Sequence, residues 1–170
     1  ITSGPTISHT NEPNNATTNS VLSCSFTVVG TGTLTANVTW LNSTNTHITD
    51  NESLSVTNNT EKTTTEVGDV EPSDTKKNEN WSCSVRAGNK TFFTGFFNSS
   101  NTTIANTQPA ITTPTSRQIA TEDVQFNITA NASDVDNDAI NSWLSQDLNE
   151  SDFGNNPLFT IDSSTGVINF

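Results

Sequence analysis

The side chains best placed to do chemistry are Asp134, Asp136 and Asp138, within Asp134-Val-Asp-Asn-Asp138. Carboxylates at i, i+2 and i+4 repel one another unless water or a cation lies among them, and Ca2+ takes several such oxygens. Residues 110–170 hold nine acids and one Arg, net −8, against −4 for residues 1–109. The stretch is not an EF-hand loop, because Ala139 stands at the required Gly position and Ser145 at the bidentate Glu position. Without a cation it reads as a solvated acidic turn between two strands. No catalytic set accompanies it. His9 and His47 lie in unrelated polar contexts, and no G-x-S-x-G elbow, paired-His metal motif or phosphate-binding Gly loop occurs. The chain reads as non-enzymatic.

The two cysteines, Cys24 and Cys83, are the next reactive groups. An even pair in a Thr/Asn-rich chain suggests an oxidising compartment and one disulfide. The bridge would close a loop of about 60 residues, worth roughly 4 kcal/mol by chain entropy. The other reading is two free buried thiols. The chain begins at Ile1 with neither an initiator Met nor a leader, which suggests a processed piece of a longer precursor.

Asparagine is the third chemical handle. N-x-S/T sequons occur at Asn15, Asn37, Asn42, Asn51, Asn58, Asn80, Asn89, Asn98, Asn101, Asn127, Asn131 and Asn149. Strand alternation gives several of them a direction. In 34–40 the apolar face is Leu34, Ala36, Val38 and Trp40, which turns Asn37 outward. In 124–130 it is Val124, Phe126, Ile128 and Ala130, which turns Asn127 and Asn131 outward. Trp81, Cys83 and Val85 likewise leave Asn80 outside. Covalent N-glycans on an outer sheet face fit this arrangement, as does a merely solvated polar face.

The elements that must hold these residues are strands. The chain has 170 residues, formal net charge −12 and only 30% hydrophobic residues; 24 Asn, 20 Ser and 31 Thr make up about 44% of it. Thr favours strands, while Thr and Asn are poor helix formers. No apolar run approaches the roughly 18 residues of a membrane span. The acidic balance argues against nucleic acid, whose phosphates need clustered Lys and Arg. Low hydropathy with high charge would fit a disordered linker, but 3 Trp, 9 Phe and alternating apolar runs argue for an all-β fold.

Strands are expected at 21–29, 33–41, 46–49, 53–57, 63–70, 81–87 and 90–97, with a short extended stretch near Thr6–Thr10. About seven short strands at such spacing suggest a β-sandwich over residues 1–107. The segment 98–115 reads as a linker. A second β unit, 108–170, is expected at 123–131, 139–145, 157–161 and 166–170, with Ser163-Ser-Thr-Gly166 as a hairpin turn. It shows too few strands for a full sandwich, so its remaining strands would come from later residues or from a neighbouring molecule. Phe92-Phe-Thr-Gly-Phe-Phe97 is ambiguous. As one strand it sets Phe92 and Phe96 against Phe93 and Phe97 on opposite faces, with Phe93 and Phe97 as a candidate interface; as a turn at Thr94-Gly95 it exposes one Phe of each pair.

The order Cys24, Trp40, Cys83 resembles an immunoglobulin-type domain, with Trp81 where a Tyr usually precedes the second cysteine by two. The segments 37–41, 77–85 and 98–104 resemble tandem immunoglobulin-like repeats of large archaeal cell-surface glycoproteins. Ala120-Thr-Glu-Asp123, 132–138 and 159–168 are similar to cadherin-like repeats of surface proteins. The second resemblance implies that Glu122 joins Asp134, Asp136 and Asp138 around Ca2+, although the linker 105–109 lacks the acids such repeats carry. The expectation is therefore an immunoglobulin-like β-sandwich followed by an incomplete immunoglobulin/cadherin-like one, outside the cell. The chain would act as an N-glycosylated stalk, coat or filament subunit whose partners are its own copies or neighbouring repeats. In one form, Ile1–Thr10 donates a strand to the next copy. The alternative is an adhesin or carbohydrate-binding module of a larger surface protein.

Overall fold

The structure, a computed structural model, describes residues 3–11, 14–43, 47–65, 68–89, 91–116, 119, 121, 126–141, 143 and 160–169. The protein is all-β. Among the described residues there is no α-helix, and only a single 3₁₀ turn at Pro72–Asp74. Among the described residues no helix is long and apolar enough to cross a membrane. The chain divides into two compact units, Ile1–Thr107 and Gln108–Phe170.

The first unit is a two-sheet sandwich. One sheet has the order β1-β2-β5, from Ser3–His9, Leu22–Thr27 and Glu61–Thr63. The other has the order β4-β3-β6-β7, from His47–Val56, Leu34–Asn42, Asn80–Gly88 and Phe97–Asn98; β8, Thr102–Thr103, also pairs with β6. Every named pair in these sheets is antiparallel. Alternation explains why the sheets face one another. Leu22, Cys24 and Phe26 of β2 are buried, as are Leu34, Ala36, Val38 and Trp40 of β3 and Trp81, Cys83, Val85 and Ala87 of β6. The apolar sets expected for β3 and β6 are therefore the core sets. Large side chains such as Trp40, Trp81 and Phe26 each contribute about 1.5–3 kcal/mol through burial.

A disulfide joins Cys24 of β2 to Cys83 of β6, across the two sheets, with Cα atoms 6.2 Å apart. The buried indole of Trp40 donates its N–H to the Gly68 carbonyl at 2.7 Å. Thr64, also buried, accepts the Cys24 N–H at 2.9 Å and donates its own hydroxyl to Asp69 Oδ1.

Several expectations need correction. Residues 98–107, inside the expected 1–107 unit but read as linker-like, are folded into it: β7 and β8 add to β6, Ile104 is fully buried, and Thr18 and Thr107 share a hydroxyl–hydroxyl bond of 2.7 Å. Their Asn/Thr composition hid one core residue. The expected strands 46–49 and 53–57 are one bulged strand, β4. The strand expected over 63–70 is short, ending at Thr63, with Val70 returning as a single bridge to Leu22. The extended stretch expected near Thr6–Thr10 is present and starts earlier: Ser3–His9 is a strand that pairs with β2 of its own unit. Residues 90–97 are not one strand. Gly88 bridges Phe93, the Thr94 N–H bonds the Ala87 carbonyl at 2.8 Å, and only Phe97 joins β7. A Cβ on Gly88 would lie 2.0 Å from the Phe92 carbonyl oxygen, so this close approach requires glycine.

In the second unit, β9 (Ala110–Thr113) pairs with β11 (Asn131–Ser133), while β10 (Asn127–Thr129) and β12 (Thr160–Ile161) flank β13 (Val167–Asn169). The hairpin turn at 163–166 is present. Gly166 has φ 71°, and a Cβ there would meet the Trp143 ring and the Ala130 carbonyl, each at 2.8 Å. Of the strand expected at 139–145, the described residues 139–141 and 143 are not strand; 144 and 145 lie outside the described residues, as do 157–159.

Candidate functional site

Three surfaces bear on function. The sequon asparagines come first. Asn15, Asn58, Asn80, Asn98, Asn101 and Asn131 are exposed, and Asn89 is half-buried. Asn149 lies outside the described residues, as do the side chains of Asn51 and Asn127. At several positions the protein holds the side-chain oxygen and leaves the amide nitrogen, the attachment atom, away from that bond. The Oδ1 of Asn58 accepts the Gly30 N–H at 3.0 Å, that of Asn80 the Thr103 hydroxyl at 2.6 Å, and that of Asn98 the Ser84 hydroxyl at 2.6 Å. Asn89 accepts two N–H groups, from Thr91 and Phe92, each at 3.0 Å. Asn131 differs: its Nδ2 donates to Thr113 Oγ1 at 2.8 Å.

Asn37 and Asn42 depart from the expectation. Both are 8% exposed. Asn37 does sit on the face opposite Val38 and Trp40, but the β3–β4 ladder breaks beside it: Ala36 pairs with Leu54, and Val38 with Asn51. The bulge puts Ser53 at φ 63°, and its N–H, lost to the ladder, bonds Asn37 Oδ1 at 3.0 Å. Asn37 is thus a plug for a β-bulge. Its outward register does not make it accessible.

The acidic cluster is the second surface. Asp134, Asp136 and Asp138 bring one carboxylate oxygen each within 4.8 Å of one another. Two oxygens on opposite sides of a Ca2+ ion stand about 4.8 Å apart, so the spacing fits. Asp134 Oδ1 accepts the N–H of Asp136 at 2.8 Å and of Asp138 at 3.1 Å. Its Oδ2 is buried with no partner, which a cation would supply. Glu122 lies outside the described residues.

The third surface is aromatic. Phe92, Phe93, Phe96 and Phe97 are 76%, 45%, 53% and 43% exposed. The sequence alternatives paired Phe92 with Phe96 and Phe93 with Phe97. Instead, Phe93 and Phe96 act together, with the Arg86 guanidinium carbon 5.2 and 5.1 Å from their ring centroids. Phe92 and Phe93 also line a cleft of about 270 Å³ with Val28, Leu34 and Asn89. Arg86 was not singled out from sequence. Its place on β6, one residue past the core Val85 and a short loop before the phenylalanines, was the available signal. No protein-family model, curated protein or solved structure matches the chain.

Proposed function

We propose that the chain is a non-enzymatic, N-glycosylated structural protein of an extracellular surface, built from an immunoglobulin-like sandwich and a second, cadherin-like unit. The observation that carries this reading is the set of exposed sequon asparagines whose oxygens are tied to the fold, at Asn58, Asn80 and Asn98. Such asparagines present the amide nitrogen in a defined direction, which suits a sugar layer over sheet edges and turns. The sheet orders, the bridge between β2 and β6, and the Trp40 packing support the immunoglobulin-like reading. The disulfide supports an oxidising compartment.

In this reading the sandwich bears load and the sugars keep a weakly apolar protein hydrated and protected. Its partners are copies of itself or adjoining repeats. Assembly by donation of Ile1–Thr10 requires β1 to leave β2, so deleting residues 1–10 should abolish polymers if that exchange occurs. Ca2+ at Asp134, Asp136 and Asp138, with Glu122, would stiffen the second unit.

The test is intact mass before and after enzymatic deglycosylation of native material, with electron microscopy of the same sample. Attached glycans and regular surface arrays or filaments support the reading; a bare polypeptide removes it. The exposed phenylalanines favour a second reading, an adhesin or carbohydrate-binding module. A glycan-array screen separates the two, since a structural coat protein binds no free glycan.

A further inference from the structure

The exposed phenylalanines need a cover, because a chain with only 30% hydrophobic residues here leaves four aromatic rings in water. We propose that the cover over Phe96 is the first sugar of an N-glycan on Asn98. The proposal rests on the glycosylated reading above and names the site and the role of one glycan.

Three observations carry it. Asn98 and Phe97 lie on β7, paired with Ser84 and Val85 of β6. Val85 faces the core, so Ser84, Arg86 and Asn98 lie on the other side of the sheet, and Phe96, just before β7, is on that side too, its ring centroid 5.1 Å from the Arg86 guanidinium carbon. Two residues of extended chain span about 7 Å, a distance that a single pyranose ring bridges. Next, the Ser84 hydroxyl holds Asn98 Oδ1 at 2.6 Å, which stops the amide from rotating freely. Finally, Arg86 reaches Phe96 from β6, while Asn98 follows Phe96 along the chain on β7, so the cation and the sugar are rooted on different strands. Among the six sequon asparagines described as exposed, Asn98 is the one with an exposed aromatic residue two places away.

The chemistry is complementary. One face of a pyranose presents C–H bonds, which are weakly positive, to the negative face of the ring. Stacking removes apolar surface from water and restricts a glycan already oriented by its asparagine. The ordering cost is small because Asn98 is pre-set.

The experiment uses the full chain made in an N-glycosylating eukaryotic host, as wild type, Ser100→Ala, Phe96→Ser and the double variant. Ser100→Ala removes the attachment signal and keeps both Asn98 and its bond to Ser84. Glycopeptide mass spectrometry should find Asn98 occupied in wild type. Ser100→Ala should lower the unfolding midpoint by about 4 °C with Phe96 present, a shift typical of one contact in a domain of this size. In the Phe96→Ser background it should leave the midpoint unchanged. Independently of any variant's stability, the Phe96 ring current should move proton resonances of the first sugar upfield in wild type. Occupied Asn98 with the same Ser100→Ala effect in both backgrounds, and no ring-current shift, overturns the stacking and leaves the sugar coat standing. Empty Asn98 beside occupied sequons overturns this site alone. Sugar at no sequon removes the coat reading and this proposal together. A glycosylated dimer that Phe96→Ser dissolves assigns the ring to a second copy and overturns the proposal.

Discussion

The Nε1–H of Trp81 donates to Glu79 Oε2 at 3.1 Å, tying a fully buried indole to a carboxylate two residues earlier in the chain. The same oxygen accepts the Lys76 N–H at 2.9 Å, so one side chain anchors both the tryptophan and the turn that leads into β6. Glu79→Ala strands a buried donor and should cost about 1–3 kcal/mol in urea unfolding. Glu79→Gln keeps an acceptor and should cost less. Equal, negligible losses would mean that the indole does not depend on this partner.

The bridge between Cys24 and Cys83 spans 59 residues of sequence and lies in the centre of the sandwich core. The double replacement by Ala should lower stability by about 4 kcal/mol, chiefly by freeing the unfolded chain. Denaturant titration of oxidised and Cys-free proteins measures it. A loss below about 1 kcal/mol would place the stability of this unit elsewhere.

Gly88 faces the returning Phe92–Phe93 backbone too closely for any side chain. Gly88→Ala must push that segment away from β6, at a cost of about 1–3 kcal/mol. The same displacement should release Arg86 from Phe93. Hydrogen exchange at the Thr94 N–H, which bonds Ala87, should rise in the variant; unchanged protection would show that the approach is looser than described.

Asp162 organises the last hairpin. Its Oδ1 accepts the Ser164 hydroxyl at 2.6 Å and the N–H groups of Ser164 and Thr165 at 2.8 and 2.9 Å. These donors, the Ser164 hydroxyl foremost, lower its pKa from 3.8 to about 2. A depressed folded-state value means that the contribution is fully present above the ordinary 3.8 and is lost as pH falls through about 2. Carboxyl NMR should give a midpoint near 2, and Ser164→Ala should raise it toward 3.8. An unshifted wild-type midpoint would remove the network.

At the acidic cluster, calorimetric titration with Ca2+ should give saturable heat at millimolar concentration or below, and Asp134→Asn should abolish it. Asp134 is the choice because its Oδ2 is the buried oxygen without a partner. Absence of heat in wild type would leave the three carboxylates as a solvated turn.

Much of the first unit was legible because alternation is local. Leu34, Ala36, Val38 and Trp40 face the core since a strand repeats every two residues, whatever packs on it. The hairpin at 163–166 was legible for the same kind of reason, since only Gly166 tolerates the left-handed backbone there. Ile104 was missed because a single apolar residue in a polar stretch carries no period. The segment 92–97 stayed open between strand and turn because its pattern fits both, and the close bridge of Phe93 to Gly88 is a contact that no local pattern shows.

By itself, the sequence determined an all-β protein, its core faces and its two cysteines, because these follow from residue type and spacing along one strand. Tertiary structure alone decided which outward positions are open. Asn37 and Asn98 carry the same signal, yet one fills a bulge in β4 and the other is exposed on β7, with only its oxygen held by the Ser84 hydroxyl. That difference comes from ladder register between strands distant in sequence, which no local period encodes.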